Sequence, residues 1–237
     1  MKGNFAVLIS LLFLFINQVQ AGVVIGGTRI IYPADQQEVQ VALKNKDNNT
    51  RYLVQSWVSR IDDSKAPFII TPPVYKLNEN RRTLLHVVYT GGPQTLPQDR
   101  ESIFIVNVKS VSAISEESRN KNALQLAVKT RIKLFWRPGN LGDSEAKSAW
   151  EKLQFQRHGE QLIAKNPTPF YVTFGTLAIN GKDIPPPKKD NQPSALTMML
   201  APFSEQTFVL PAGSHGAVTW SAINDYGTET AQHKQPL

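Results

Sequence analysis

The sequence predicts an all-β protein built from two immunoglobulin-like β-sandwich domains. Short segments that alternate apolar and polar residues, rich in β-branched and aromatic side chains, recur after residue 22 with glycine and proline turns between them. Residues 137–144 interrupt this pattern with proline, two glycines and polar residues, which indicates a boundary between two domains. The chain of 237 residues is long enough for each domain to bury its own core.

The N-terminal residues 1–21 have the features of a secretory signal peptide. Lys2 supplies a positive start, residues 5–16 form an unbroken apolar run, and Val19 and Ala21 place small residues where a signal peptidase cuts. The run is too short for a typical membrane span, and no later stretch approaches about 20 apolar residues. We therefore expect an exported chain that is not embedded in a membrane.

The first domain, residues 22–140, is predicted to consist of strands joined by polar turns. Trp57 lies in a segment rich in aromatic and β-branched residues, and we expect it to be the buried tryptophan of the sandwich core. The candidate strands are residues 39–43, 52–58, 68–70, 83–88, 103–108 and 124–136.

The second domain, residues 141–237, is predicted to be a smaller β-sandwich that follows one short helix at residues 144–153. Residues 181–193 contain three consecutive prolines and should form a loop, because proline cannot pair within a sheet. The candidate strands are residues 153–156, 162–164, 170–179, 195–200, 207–210 and 217–223.

Composition excludes several kinds of chemistry. The chain has no cysteine, which excludes thiolate zinc sites, iron–sulfur clusters and thiol nucleophiles, and its four histidines show no metal-binding spacing. We predict no metal, no cofactor and no enzyme activity. Ser214 and His215 are adjacent, but they lack the strand–turn–helix context of a hydrolase nucleophile, so an esterase-like enzyme is only an alternative.

Positive charge is concentrated in the first domain. The net charge is +7, and residues 22–140 hold 17 Lys and Arg against 10 Asp and Glu. These basic residues are not interleaved with aromatic residues in a recognisable nucleic-acid-binding module, so we do not predict nucleic acid as a partner. The charge instead indicates a local binding site.

The segment at residues 122–138 is an unusually long candidate strand. Leu124, Leu126 and Val128 fall on one face by the two-residue period of a strand, and Lys129 and Lys133 fall on the other. An ordinary last strand of a sandwich explains this alternation. A strand of about 13 residues greatly exceeds the usual five or six, however, and a long edge strand with apolar residues is also suited to pairing with another chain.

Six motifs in this order resemble those of periplasmic pilus-assembly chaperones of the chaperone–usher pathway, over essentially the whole mature chain. That resemblance implies two immunoglobulin-like domains in a boomerang arrangement with a cleft between them. The motifs are residues 28–32, 71–74, 96–102, 130–138, 166–172 and 223–227.

The resemblance also implies a subunit-binding site. It assigns Arg29 and Lys133 to a basic pair that anchors the C-terminal carboxylate of a pilus subunit. It assigns Leu124, Leu126 and Val128 to an edge strand that completes the unfinished sandwich of the subunit, which is donor-strand complementation. Strict alternation places Lys133 on the face opposite Leu124, so either the strand twists between them or the carboxylate site lies beside the groove.

Three further residues are assigned by the same resemblance. Glu101, Arg137 and Asp225 match an interdomain salt-bridge set that fixes the angle between the domains; unrelated surface contacts are the alternative. The implied partners are pilus or fimbrial subunits and an outer-membrane usher; the sequence leaves open whether the free chaperone caps itself as a dimer. The alternative from another class is an exported β-sandwich module that recognises carbohydrate or adheres to a surface.

Overall fold

The protein is described here by a computed structural model that covers residues 22–92, 95–114, 125–187 and 194–237. The proposed signal peptide and Leu124 lie outside the described residues. The described chain forms two β-sandwiches in sequence, and the prediction of a two-domain, all-β, immunoglobulin-like fold is confirmed. Within these ranges, no helix has the length and apolar composition needed to cross a membrane.

Among the described residues, the first sandwich contains nine strands in two sheets. One sheet has the order β1-β3-β7-β5 and the other the order β2-β9-β8-β4-β6. The strands are β1 (Val23–Ile25), β2 (Arg29–Pro33), β3 (Glu38–Asn45), β4 (Tyr52–Ser59), β5 (Phe68–Thr71), β6 (Val74–Leu77), β7 (Arg82–Tyr89), β8 (Ser102–Ser112) and β9 (Ala127–Arg137).

The core of the first sandwich lies between its two sheets. Alternate residues of β3 and β7 face it from one side, such as Leu43 and Leu85, which are fully buried. The even-numbered residues at the C-terminal end of β9 face it from the other side, namely Ile132, Leu134 and Trp136. This end of β9 is therefore a core strand, fixed in position by its packing.

The described part of the second sandwich contains eight strands and follows two short helices. Its sheets have the orders β10-β11-β15 and β13-β12-β16-β17, with β14 paired to β12. The elements are α1 (Asp143–Ser148), a 3-10 helix (Ala149–Lys152), β10 (Gln154–His158), β11 (Gln161–Asn166), β12 (Val172–Ile179), β13 (Lys182–Asp183), α2 (Ser194–Thr197), β14 (Met199–Leu200), β15 (Ser204–Val209), β16 (Val218–Ala222) and β17 (His233–Gln235).

The prediction that Trp57 is the buried core tryptophan of the first domain is wrong. Trp57 is only half-buried, on the outer face of the sheet, where the Lys129 ammonium lies 5.2 Å from the centre of its ring. Trp136 occupies the core instead, 3% exposed. Both tryptophans lie in apolar–polar alternations, and the alternation alone does not say which face is inward.

Two predictions in the second domain also need correction. Residues 195–200 do not form one strand, because α2 occupies the first part and β14 begins only at Met199. The proline-rich loop is shorter than predicted, because Lys182 and Asp183 pair with the end of β12. Residues 188–193 lie outside the described part of the chain.

Candidate functional site

A basic pair lies where β2 joins the sheet beside β9. These two strands run parallel, and their pairing begins with Arg29 opposite Lys133. Residues in register on paired strands point to the same face, so the two side chains lie next to each other. The face is the one opposite Ile132 and Leu134, and it is turned towards the second domain.

Both cations reach across to the second domain. The Lys133 ammonium donates a hydrogen bond to the Thr173 hydroxyl at 3.1 Å, and the Lys133 residue is only 8% exposed. The Arg29 guanidinium donates through one terminal nitrogen to the Ile223 carbonyl at 2.7 Å. Its buried Nε has no hydrogen-bond partner among the described residues. The pair therefore lines a cleft between the domains. Several of its N–H groups have no hydrogen-bond acceptor among the described residues.

Burial disfavours the charged forms of both Arg29 and Lys133. Desolvation, together with the charge of the neighbouring Arg29, lowers the pKa of Lys133 from 10.5 to about 7. Burial also lowers the pKa of Arg29, although Asp225 and Glu101 oppose that shift. In the described part of the chain, neither cation forms an ion pair with a carboxylate. An anion that entered here would restore favourable electrostatics for both groups.

The N-terminal half of β9 has one unpaired edge among the described strands. β9 pairs with β8 from Ala127 to Trp136, but β2 covers its other side only from Lys133 onwards. The N–H and C=O groups on that side of residues 127–132 are therefore available to another strand. The C-terminal half of β9 is thus paired on both sides, whereas its N-terminal half is paired on one side only.

Apolar side chains accompany the open edge. Leu126, just before β9, is 65% exposed, and Val128 is 59% exposed. Val128 shares its face with Ile132, which is buried in the core of the first domain. The unbroken register with β8 shows that β9 alternates regularly from Ala127 to Trp136, so Lys133 faces away from Val128. Along the described part of the strand, the basic pair therefore lies on the face opposite Val128.

A third set of side chains, centred on Arg137, joins the domains. Arg137 at the end of β9 is 4% exposed and donates from Nε to Glu101 Oε1 at 2.9 Å and from NH2 to Asp225 Oδ2 at 3.0 Å. The other oxygen of Glu101 accepts the Tyr171 backbone N–H at 2.8 Å. The structure thus brings together the three residues that the family resemblance assigns to an interdomain set.

Asp143 is a fourth member of this network that the sequence prediction missed. Its carboxylate accepts a hydrogen bond from Arg137 NH1 at 2.9 Å, in the first turn of α1. Its position six residues after Arg137, immediately before the predicted helix, is the only signal in the sequence that pointed to it. Burial lowers the pKa of Arg137, but Glu101 and Asp225 more than offset it, so the pKa lies above its ordinary value.

The residues behind the esterase alternative are not arranged for nucleophilic catalysis. Ser214 is 3% exposed, and its hydroxyl has no hydrogen-bond partner among the described residues. The ring Nδ1 of His215 lies instead 3.4 Å from a guanidinium nitrogen of Arg157. A buried hydroxyl without a hydrogen-bonded base lacks the activation that a serine nucleophile requires.

Two family models match this chain. Residues 22–142 match the pili and flagellar-assembly chaperone, PapD N-terminal domain, and residues 148–234 match the pili assembly chaperone PapD, C-terminal domain. The probable fimbrial chaperone LpfB of Escherichia coli O157:H7 is 40% identical over 232 residues, which cover 96% of this chain and 94% of that protein.

Solved structures of similar proteins agree with these matches. A chain in the structure of the Salmonella enterica SafA pilin in complex with the SafB chaperone is 31% identical, with a TM-score of 0.76, over 93% of this chain and 99% of that one. The periplasmic chaperone SfaE is 34% identical, with a TM-score of 0.72, over 90% of this chain and 98% of that one.

Proposed function

The chain belongs to the PapD family of pilus-assembly chaperones, and from that premise we propose that it binds pilus subunits in the periplasm by adding its β9 edge to their fold and anchoring their C-terminal carboxylate. The observation that carries this proposal is the basic pair of half-buried Arg29 and buried Lys133 at one end of an open strand edge, where neither cation forms an ion pair with a carboxylate of the described residues. The SafB chaperone, which is similar to this chain, forms a complex with a pilin.

The edge of β9 supports a strand-addition mode. A subunit strand placed beside residues 127–132 would gain main-chain hydrogen bonds, and its sandwich would receive Leu126 and Val128. Each of these side chains would contribute about 1.5–3 kcal/mol on full burial. We include Leu124, which lies outside the described residues, in the same set.

The basic pair supports an anchoring role. A terminal carboxylate between Arg29 and Lys133 would accept charge-assisted hydrogen bonds, each worth about 1.5–3 kcal/mol. Because β2 takes over the edge of β9 at this point, a strand that extends the edge towards β2 must end here. A free C-terminus is the chain end that carries the complementary charge.

The remaining roles rest on family membership together with local contacts. We propose that Glu101, Arg137 and Asp225 fix the angle between two domains bounded at residues 140 and 141. We also propose that residues 1–21 direct export to the periplasm, the compartment of the similar chaperone SfaE. The loaded chaperone would deliver its subunit to an outer-membrane usher and catalyse no reaction.

The same exposed edge bears on the free protein. An unpaired edge with exposed Leu126 and Val128 is a template for a second copy of this chain. We therefore propose that the free chaperone can cap itself as a dimer, and that a subunit displaces the second copy.

Subunit capture in a fimbriated host tests the anchoring role. The chain, tagged after Leu237, should co-purify with a pilin subunit from periplasm, whereas Arg29→Ala and Lys133→Ala should lose the pilin while still melting cooperatively. Lys129→Ala is the matched control, because it removes an exposed cation from the same strand. Wild-type capture by both cleft variants, or no pilin with the wild-type chain, would overturn the proposal.

A further inference from the structure

A cavity of about 230 Å³ opens beside the basic pair, on the side of the second domain. Its walls come from α1 and the 3-10 helix, from the start of β12, and from the end of β16 with the turn that follows it. Arg29 is the lining residue contributed by the first domain. The cavity therefore shares Arg29 with the proposed carboxylate site, although none of the roles assigned above uses the cavity.

The size of the cavity indicates that its occupant is a single side chain. Sites for complete small molecules usually enclose about 300–1,000 Å³, which is more than is available here. A volume of about 230 Å³ leaves room for one large amino-acid side chain. The cavity is thus suited to one residue of a bound polypeptide.

The walls of the cavity indicate an aromatic occupant. Three aromatic residues, Trp150, Tyr171 and Tyr226, line it together with the aliphatic side chains of Val172 and Ile223. Tyr226 is 81% exposed, so most of its surface is free to contact an occupant. Aromatic rings pack favourably against one another beyond the effect of burial alone.

The charges at the cavity favour an uncharged occupant. Lys147 and Asp225 both line it, so its walls carry both signs of charge. Asp225 is already paired with Arg137, at 3.0 Å, and is not free to select a cation. A charged side chain would meet one like charge in this cavity and would lose its hydration, whereas an aromatic ring incurs neither cost.

Arg29 connects the cavity to the chain end that the proposed function places beside it. Its terminal nitrogen holds the Ile223 carbonyl in the cavity wall at 2.7 Å, and its buried Nε has no partner among the described residues. A carboxylate bound to Arg29 lies two covalent bonds from the side chain of the same terminal residue. That side chain is then within reach of the cavity.

We infer that this cavity is a specificity subsite for the side chain of the subunit's C-terminal residue, and that it prefers an aromatic side chain. The inference rests on the proposed carboxylate anchor and names which terminal residue that anchor favours. Trp150, Tyr171 and Tyr226 form the walls, and Arg29 holds the backbone end.

Synthetic peptides separate the subsite from the anchor. The probes are three N-acetylated ten-residue peptides of alternating valine and threonine that end in Phe with a free carboxylate, in Ala with a free carboxylate, and in Phe amide. The full wild-type chain should bind the Phe acid about tenfold more tightly than the Ala acid, which corresponds to about 1.4 kcal/mol. It should bind the Phe amide weakly.

Two variants test the cavity itself. Tyr226→Ala removes an exposed wall, and Ala146→Phe fills the space from α1; each should reduce the preference for Phe over Ala towards one while leaving the affinity for the Ala acid unchanged. Tyr75→Ala, an exposed tyrosine on β6, is the control and should keep the wild-type preference.

The outcomes distinguish the two claims. Equal binding of the Phe and Ala acids by the wild-type chain, with the amide still weak, would overturn the subsite and leave the anchor in place. An unchanged preference for Phe over Ala in both cavity variants would also overturn the subsite and leave the anchor in place. Equal binding of the acid and the amide would overturn the anchor, and absence of binding by all three peptides would overturn both.

Discussion

Arg29 and Lys133 are register partners on parallel strands, so two cations stand side by side on a face that the second domain covers. In the described structure, the hydrogen bonds of both cations go to neutral oxygens, those of Ile223 and Thr173. The free protein therefore carries an electrostatic cost at this position, which an anionic ligand would relieve.

Replacing Lys133 by methionine should stabilise the free protein at neutral and acidic pH. Below about pH 7 the lysine is protonated both folded and unfolded, so the full cost of burying its charge is present, on the order of 3–5 kcal/mol for a pKa lowered from 10.5 to about 7. Urea unfolding at pH 6.5 should show a higher free energy of unfolding for Lys133→Met than for the wild type.

The pH dependence of the stability gain from Lys133→Met shows whether the lowered pKa of Lys133 is its cause. Between about pH 7 and 10.5 the folded wild type binds fewer protons than the unfolded chain, so its free energy of unfolding rises with pH and the gain from Lys133→Met shrinks. The exposed control Lys129→Met should show no such trend. A gain for Lys133→Met that stayed constant up to pH 10 would contradict a lowered pKa.

Ligand binding at the basic pair should take up protons near neutral pH. A carboxylate beside Lys133 favours its charged form and raises its pKa, so affinity should fall as the pH rises above about 7. Calorimetry at pH 7.5 in buffers of different ionisation enthalpy measures the uptake. Lys133→Arg, which stays charged, should bind without it; equal uptake by both proteins would exclude Lys133 as the proton acceptor.

Acidic substitutions should have different effects on stability in the two halves of β9. Leu126→Asp and Val128→Asp change exposed residues and should alter the free energy of unfolding by about 0.5 kcal/mol or less, while reducing subunit capture at least tenfold. Ile132→Asp lies on the same face as Val128 but is buried, and it should unfold the domain. Unfolding of Val128→Asp would instead make the whole strand a core strand.

The Arg137 network should show strong coupling in a double-mutant cycle. Arg137→Met leaves Glu101 buried without its cation and should cost about 3–5 kcal/mol in chemical denaturation. Adding Glu101→Met should recover part of that cost, because no buried charge remains. Additive effects of the two substitutions would show that the ion pair does not contribute to stability as a unit.

The fold could be predicted from the sequence because alternation and turn residues are local signals. The site could be predicted only in part, since pairing between distant segments has no local signal. β9 was identified as an unusual strand, but its division at Lys133 into a covered half and an open half depends on β2, which lies about a hundred residues earlier in the chain. That pairing, rather than strand length, creates the open edge.

Other errors have the same physical origin. Trp57 and Trp136 occur in similar alternations, and only the packing of the opposite sheet decides which one is buried. Asp143 was missed because the contact of a short helix with Arg137 depends on the path of the linker between the domains. The cavity near Tyr226 is formed by segments from both domains and has no counterpart in any single motif.

The distances between residues along β9 are fixed, because β9 is a regular strand with one end packed in the core. Val128 and Lys133 are five residues apart, about 17 Å in an extended chain, and packing in the core holds the C-terminal end still. With the proposed anchor at Lys133, the register of a partner strand would be set from its own last residue. One additional residue at that end would turn every side chain of the partner to the wrong face, so the chaperone would select a partner by the spacing between its last residue and its apolar side chains as well as by its chemistry.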